Sequence, residues 1–345
     1  MNRRRYISAC GVTLAGLTGC TSDERPEQVT DTPGSSGGES SGEVDETTES
    51  EGQTATSTPE PSNQVATAQI GEVVQDDTLA MVVNGIEETA QIGEFQQAES
   101  GRTYVVVDLA IKNVTSDEFI SFSGLLQTRL KDDEDYTYDQ TFASTGRNLE
   151  GGQIAPGEVS RGDVVYEVPE DASGLVMQFD FQALSLFRFS RVEIDLSQSA
   201  ESTTALEQDL QVDTYEPGDS VSFNDTVVTV NSVETATSIG SFAEADDGNE
   251  FVVVDISTVN ETSEELNISI ALQMLLKGDS GFSYPFDISA YSALDRAYEQ
   301  GSPLAPGETR RGKLAYEVPE GMSPLYWAFE FSLWVEGTKT FWQIR

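Results

Sequence analysis

No histidine occurs anywhere in the 345 residues, and both cysteines, Cys10 and Cys20, fall within the first twenty. Ser-His-Asp, Cys-His and histidine–zinc chemistry are therefore excluded. Carboxylates remain, in abundance: 60 acids stand against 19 bases, a formal net charge of -41. A carboxylate pair can hydrolyse a glycoside, but with so many acids close pairs arise by chance and none stands out. The chain is read as non-enzymatic and without a cofactor. One acidic run, Asp132-Asp133-Glu134-Asp135, has enough oxygens in a predicted loop to offer a calcium site through Asp132, Asp133 and Asp135. Its counterpart further on, Gly278-Asp279-Ser280-Gly281, keeps a single acid, so a solvated hairpin tip competes with the metal reading.

The first twenty residues carry an address. Arg3 and Arg4 precede a short apolar run ending in Leu17-Thr18-Gly19-Cys20. A positive start, an apolar stretch and a small-residue cleavage site make an export signal, too short for a membrane span of about 20 residues. The paired arginines resemble a twin-arginine signal, and Leu-Thr-Gly-Cys resembles a lipobox, with Cys20 the lipidated first residue of the mature chain. The expected location is the outer face of the cytoplasmic membrane, lipid-anchored and extracellular. Once Cys10 is removed and Cys20 is lipidated, no thiol remains for a disulfide or a redox cycle.

The charge balance also restricts partners. Nucleic acid is excluded, because binding phosphates needs a basic patch and only five lysines occur. So acidic a chain repels itself until salt screens it; the Debye length falls from about 10 Å at 0.1 M to about 3 Å at 1 M. Acids spread along the whole chain, with lysine scarce, resemble the proteins of extreme halophiles, of haloarchaeal type. Lowering potassium chloride from molar to about 0.1 M should then unfold the purified domains, as followed by circular dichroism.

Two further sets of residues could meet a ligand. All three tryptophans, Trp327, Trp334 and Trp342, lie near the C-terminus. Trp334 and Tyr326 fall on the outward phase of their strands and are the candidate surface for a sugar or an interface. Asn113, Asn224, Asn260 and Asn267 each begin an Asn-x-Ser/Thr sequon and are candidate glycan acceptors. For Asn113 and Asn260 the alternative is that the side chain makes a turn.

These residues sit in a chain that is written twice. Residues 21–67 are Ser, Thr, Gly, Pro and acids, too poor in apolar surface to order, and read as a disordered tether. Beyond it Ile92-Gly93-Glu94-Phe95 recurs as Ile239-Gly240-Ser241-Phe242, and Tyr104-Val105-Val106-Val107-Asp108 as Phe251-Val252-Val253-Val254-Asp255. Ala155-Pro156-Gly157-Glu158 recurs as Ala305-Pro306-Gly307-Glu308, and Arg161-Gly162 as Arg311-Gly312. In a chain so poor in cations, Arg161 and Arg311 are read as structural partners of acids. Alternating apolar residues such as Leu325, Trp327, Phe329 and Phe331 predict strands, Pro-Gly pairs predict turns, and no long stretch has a helical period. The expected fold is all-β: export signal 1–20, tether 21–67, immunoglobulin-like β-sandwiches at 68–197 and 210–345, and a linker at 198–209.

On these motifs each copy resembles the telokin-like, immunoglobulin-like domain of unknown function found in secreted and lipid-anchored proteins of bacteria and archaea. The resemblance implies a fold and an extracellular setting, and no activity. Function is accordingly expected to be binding or adhesion, to an envelope protein or glycan. The alternative is an accessory lipoprotein that holds a solute or calcium. A solute binder should show a deep pocket where the repeats meet.

Overall fold

The computed structural model describes residues 26–29, 64–180, 189–333 and 335–345. They form two β-sandwiches in series, and no helix among them is long and apolar enough to cross a membrane. A short strand β1 (Glu27–Val29) comes first. The main strands of the first sandwich are β2 (Gln64–Ile70), β3 (Val74–Gln75), β4 (Leu79–Thr89), β5 (Arg102–Asn113), β6 (Thr128–Lys131), β7 (Thr137–Asp139), β8 (Val159–Pro169), β9 (Val176–Asp180) and β10 (Phe189–Ser199). Those of the second are β11 (Thr214–Tyr215), β12 (Ser220–Phe223), β13 (Thr226–Ala236), β14 (Asn249–Asn260), β15 (Met274–Gly278), β16 (Ser283–Tyr284), β17 (Thr309–Pro319), β18 (Leu325–Glu330) and β19 (Lys339–Gln343).

The duplication holds at the level of topology. Sheet order is β8-β5-β4-β3 facing β7-β6-β9-β10-β2 in the first sandwich, and β17-β14-β13-β12 facing β16-β15-β18-β19-β11 in the second. In each, the opening strand runs parallel to the closing one, β2 beside β10 and β11 beside β19. Strand β1 lies within the stretch that composition assigns to the tether. It nevertheless pairs antiparallel with the edge strand β12, Glu27 opposite Ser222. Its three side chains are all exposed, so backbone hydrogen bonding alone places it, and no apolar pattern announces it.

The Val-Val-Val-Asp strands are central and covered on both faces, which explains their nearly unbroken apolar runs. Val105, Val107, Leu109 and Ile111 point into the first core, against Met177, Phe179 and Ile194 of the facing sheet. Val252, Val254 and Ile256 do the same in the second, against Trp327, Phe329 and Trp342. The other face is covered by the Ile-Gly-x-Phe hairpins: Ile92 packs on Tyr104 and Val106, and Ile239 joins a cluster with Phe251 and Val253.

The recurring Arg-Gly pair has a steric reason. A second chain segment crosses the free edge of β8 and of β17 at the glycine. A Cβ on Gly162 would lie 2.4 Å from the Leu149 nitrogen, and one on Gly312 would lie 2.3 Å from the Tyr298 Cα. Only a bare backbone admits that crossing.

Candidate functional site at the junction of the repeats

The Ala155-Pro156-Gly157-Glu158 turn leads into β8 and is preorganised by its own side chain. Glu158 Oε2 accepts the Ala155 N–H at 2.8 Å, and Gly157 holds the left-handed φ of 77°. The turn is pressed onto the outer face of the second sandwich. Ala155 packs there with Ala328 and Phe341, flanked by Phe119, Leu210, Val212, Leu275 and Tyr326. The linker closes over it: Asp209 N–H donates to Gly157 O at 3.0 Å, and Gln211 N–H to Pro156 O at 2.9 Å.

Glu158 is completely buried between two lysines of the second repeat. Its Oε1 accepts from Lys277 Nζ at 2.5 Å and from Lys339 Nζ at 2.6 Å. Lys277 also donates to Val159 O and Lys339 to Gln153 O. Gln153 completes the clasp, accepting the Gly337 N–H and donating to Val335 O. One carboxylate is thus shared by two ammonium groups, and the electrostatics follow from that asymmetry. Burial alone would raise the Glu158 carboxyl, but two adjacent cations hold it below the ordinary carboxylate range. Burial pushes Lys277 down to about 8, because its half share of one carboxylate, opposed by the neighbouring Lys339, does not repay desolvation.

The sign of the resulting pH dependence is set by Lys277. Its folded value lies below the value of 10.5 for a free lysine. Between these values the unfolded chain holds the proton more tightly, so this group's contribution to stability rises with pH. From pH 8 to 10 the wild type should therefore gain on a Lys277→Met variant, by up to about 1.4 kcal/mol per pH unit, in urea unfolding curves.

Beside the clasp lies a cavity of about 190 Å³, lined by Glu150, Gln153, Lys277, Ser283, Glu330 and Lys339 among others. Burial pushes the Glu150 and Glu330 carboxyls up. Ser283 Oγ is buried there without a hydrogen-bond partner.

A second contact between the repeats centres on Arg161. Its guanidinium makes a bidentate pair with Asp108, at 2.9 and 2.7 Å, and Asp108 also accepts from Asn84 at 3.1 Å. The same trio recurs as Asn231, Asp255 and Arg311. Asn84 and Asn231 each occupy a bulge in their strand. In the first repeat the Arg161 guanidinium also stacks on Phe282 of the second, 4.5 Å from the ring centre, and Arg147 lies 5.2 Å from the same ring.

The family model for DUF4352, a domain of unknown function, matches residues 68–185 and again 215–339. The chain belongs to the DUF4352 family, in two tandem copies. No curated protein matches it. Among solved structures, a candidate lipoprotein from Bacillus subtilis is 12% identical with TM-score 0.31, over 36% of this chain and 39% of its own length. An uncharacterized β-sandwich protein from Clostridium difficile is 18% identical over 40% and 98% of the two chains, TM-score 0.28. A secreted protein from Mycobacterium tuberculosis is 15% identical over 34% and 92%, TM-score 0.29.

Within the two DUF4352 copies, the residues singled out from sequence are scattered. Arg3, Arg4, Cys20 and Trp334 lie outside the described residues. Tyr326 is not an open surface: it is half-buried in the junction cluster with Ala155. Asp132, Asp133 and Asp135 do not converge on a metal position, and no group of three or more ligating residues does so among the described residues. Asp132 spends its oxygens on the Glu134 and Tyr136 N–H groups and the Tyr138 hydroxyl, Asp133 accepts from Ser173, and Asp135 pairs with Lys131.

Of the four sequons, Asn113 and Asn260 are fully buried. The Asn113 amide donates to Glu118 O and Ile154 O, and that of Asn260 to Glu264 O and Leu304 O. Both asparagines make the turn, and the folded DUF4352 domain leaves no room for a glycan on either. Asn224 and Asn267 are exposed. Sequence reading missed Asn84 and Asn231, although Val83-Asn84 and Val230-Asn231 recur at the same spacing of 147 as the other motifs. It also missed Lys277 and Lys339, for which no sequence signal existed: by strand register they correspond to Lys131 and Arg191, both partly exposed.

Proposed function

We propose that this is a non-catalytic, lipid-anchored surface protein whose two DUF4352 repeats act as one rigid binding module. The observation that carries this reading is the seated Ala155-Pro156-Gly157-Glu158 turn, with its carboxylate buried between Lys277 and Lys339 and the linker hydrogen-bonded across it. A fixed relation between domains keeps a composite surface preorganised and lowers the entropy cost of binding. Anchoring at Cys20 and export through Arg3 and Arg4 complete the picture, with the -41 charge suited to molar salt. Changing Cys20→Ser should move the protein from the membrane fraction to the medium; retention in the membrane would remove the anchor from the proposal.

The binding role is tested by capture from solubilised envelope at molar salt, with residues 64–345 as bait and mass spectrometry as readout. A partner retained by the wild type and lost when Glu158→Gln loosens the junction supports a rigid module. A folded bait that retains nothing over an unrelated acidic protein refutes it. A solute-binding role draws on the 190 Å³ junction cavity and its unpartnered Ser283 hydroxyl. Both lysines there are already committed to Glu158, which favours the first reading.

A further inference from the structure

The duplication allows one repeat to be read against the other at the place where Phe282 docks. In the first repeat, β8 is a sheet edge, and the segment around Arg147 pairs with it at Asp163. One step along that edge, the Arg161 N–H donates to Gly281 O at 3.1 Å, and Phe282 lies against the guanidiniums of Arg161 and Arg147. Gly281 is required in this hairpin, since it holds φ 84° and a Cβ there would sit 2.5 Å from Val159 Cγ1. The first repeat therefore has an aromatic-accepting site, filled by a Gly-Phe hairpin tip of the second.

The second repeat has the same site, and no described residue of the chain fills it. Edge strand β17 corresponds to β8, Arg311 to Arg161, and Arg296 to Arg147. Lys313 N–H donates to Arg296 O at 2.7 Å just as Asp163 N–H donates to Arg147 O at 2.7 Å. Asp255 holds Arg311 in the bidentate pose that Asp108 gives Arg161. Among the described residues, however, no segment pairs with the β17 edge at Arg311. What lies there instead is an open groove of about 670 Å³, floored by Ile239, Val253 and Leu294 and bordered by Arg296, Arg311 and Lys313. The Arg311 side chain is 60% exposed there, against 23% for Arg161. Among the described lysines and arginines, Arg296 is the one whose side chain makes neither an ion pair nor a hydrogen bond.

We propose that this groove binds a β-hairpin tip of a partner protein bearing a Gly-aromatic pair, in the manner in which the first repeat binds Gly281-Phe282. The aromatic ring lies against Arg296 and Arg311, and the partner's glycine carbonyl accepts the Arg311 N–H. The proposal deepens the binding-module reading by naming its surface and the chemistry of its partner.

The test uses the full chain carrying Cys20→Ser, at molar salt, and a fluorescent cyclic peptide of residues 277–284 as probe, read by anisotropy. Saturable binding is expected, weakened about tenfold or more by Phe282→Ala in the peptide and by Arg296→Ala or Arg311→Ala in the protein. Arg129→Ala, on another sheet, should leave it unchanged. The Arg296 side chain has no partner among the described residues, so its variant separates lost contact from lost fold. Absence of binding at millimolar peptide, or binding indifferent to both arginine variants, overturns the proposal. So does self-association of the chain that disappears in Arg296→Ala, which would show that a second copy fills the groove. An envelope partner that Arg296→Ala and Arg311→Ala still capture would overturn this groove while leaving the binding module standing.

Discussion

Glu158→Gln is expected to destabilise the protein by about 3–5 kcal/mol, whereas Glu308→Gln should cost less than about 1 kcal/mol. The two glutamates are copies in the same Ala-Pro-Gly-Glu turn, and each accepts its alanine N–H at nearly the same distance, 2.8 and 2.9 Å. Their surroundings differ completely. The Glu158 side chain is fully buried, and removing its charge leaves two ammonium groups facing each other in the junction. Glu308 is 41% exposed and touches Arg310, which keeps backbone acceptors at Ser302 and Pro303. Urea unfolding of both variants in molar salt measures the difference. Adding Lys277→Met to Glu158→Gln should restore part of the loss, because it removes one of the uncompensated charges. Equal effects of the two Glu→Gln changes would mean that the junction clasp does not stabilise the fold.

Gly157→Ala should also be strongly destabilising, again with its own internal control. Gly157 and Gly307 share the left-handed backbone, φ 77° and 75°, so alanine costs each about 1–2 kcal/mol of strain. Beyond that they part. An added Cβ at Gly157 would fall 1.7 Å from Asp209 O, while at Gly307 nothing lies within 4 Å. The linker must therefore move away, losing the Asp209–Gly157 and Gln211–Pro156 hydrogen bonds at about 1 kcal/mol each. A total of about 3–4 kcal/mol is expected for Gly157→Ala, together with new protease cleavage between residues 206 and 212. Loss confined to the level of Gly307→Ala would mean that the linker contact contributes nothing.

These paired predictions exist because the repeats are alike in sequence and unlike in environment. A turn that fits into a neighbour's sheet in one copy faces water in the other. An arginine pair covered by Phe282 in one copy borders an open groove in the other. Docking covers the first repeat's contact surfaces, and among the described residues nothing covers their counterparts in the second. The protein is therefore asymmetric in the surfaces it exposes, although its halves share one fold.

Much of this was legible from residues alone. The alternation of Leu175, Met177 and Phe179, the Val-Val-Val-Asp runs and the Pro-Gly turns specify strands and their facing sheets, because side-chain period and turn chemistry are local properties. Recurrence at a spacing of 147 to 150 likewise establishes two copies of one domain, and the absence of histidine excludes whole classes of chemistry. The tertiary structure alone decided which of two identical turns is buried, and that Lys277 and Lys339 close on Glu158 across more than a hundred residues. It also decided that Asn113 and Asn260 spend their amides inside the fold, and that Arg311 stands open where Arg161 is covered. Such facts depend on which surfaces of two folded units meet, and no local pattern encodes that. Burial then sets the energetic weight of a charge or a glycine that sequence shows only as present.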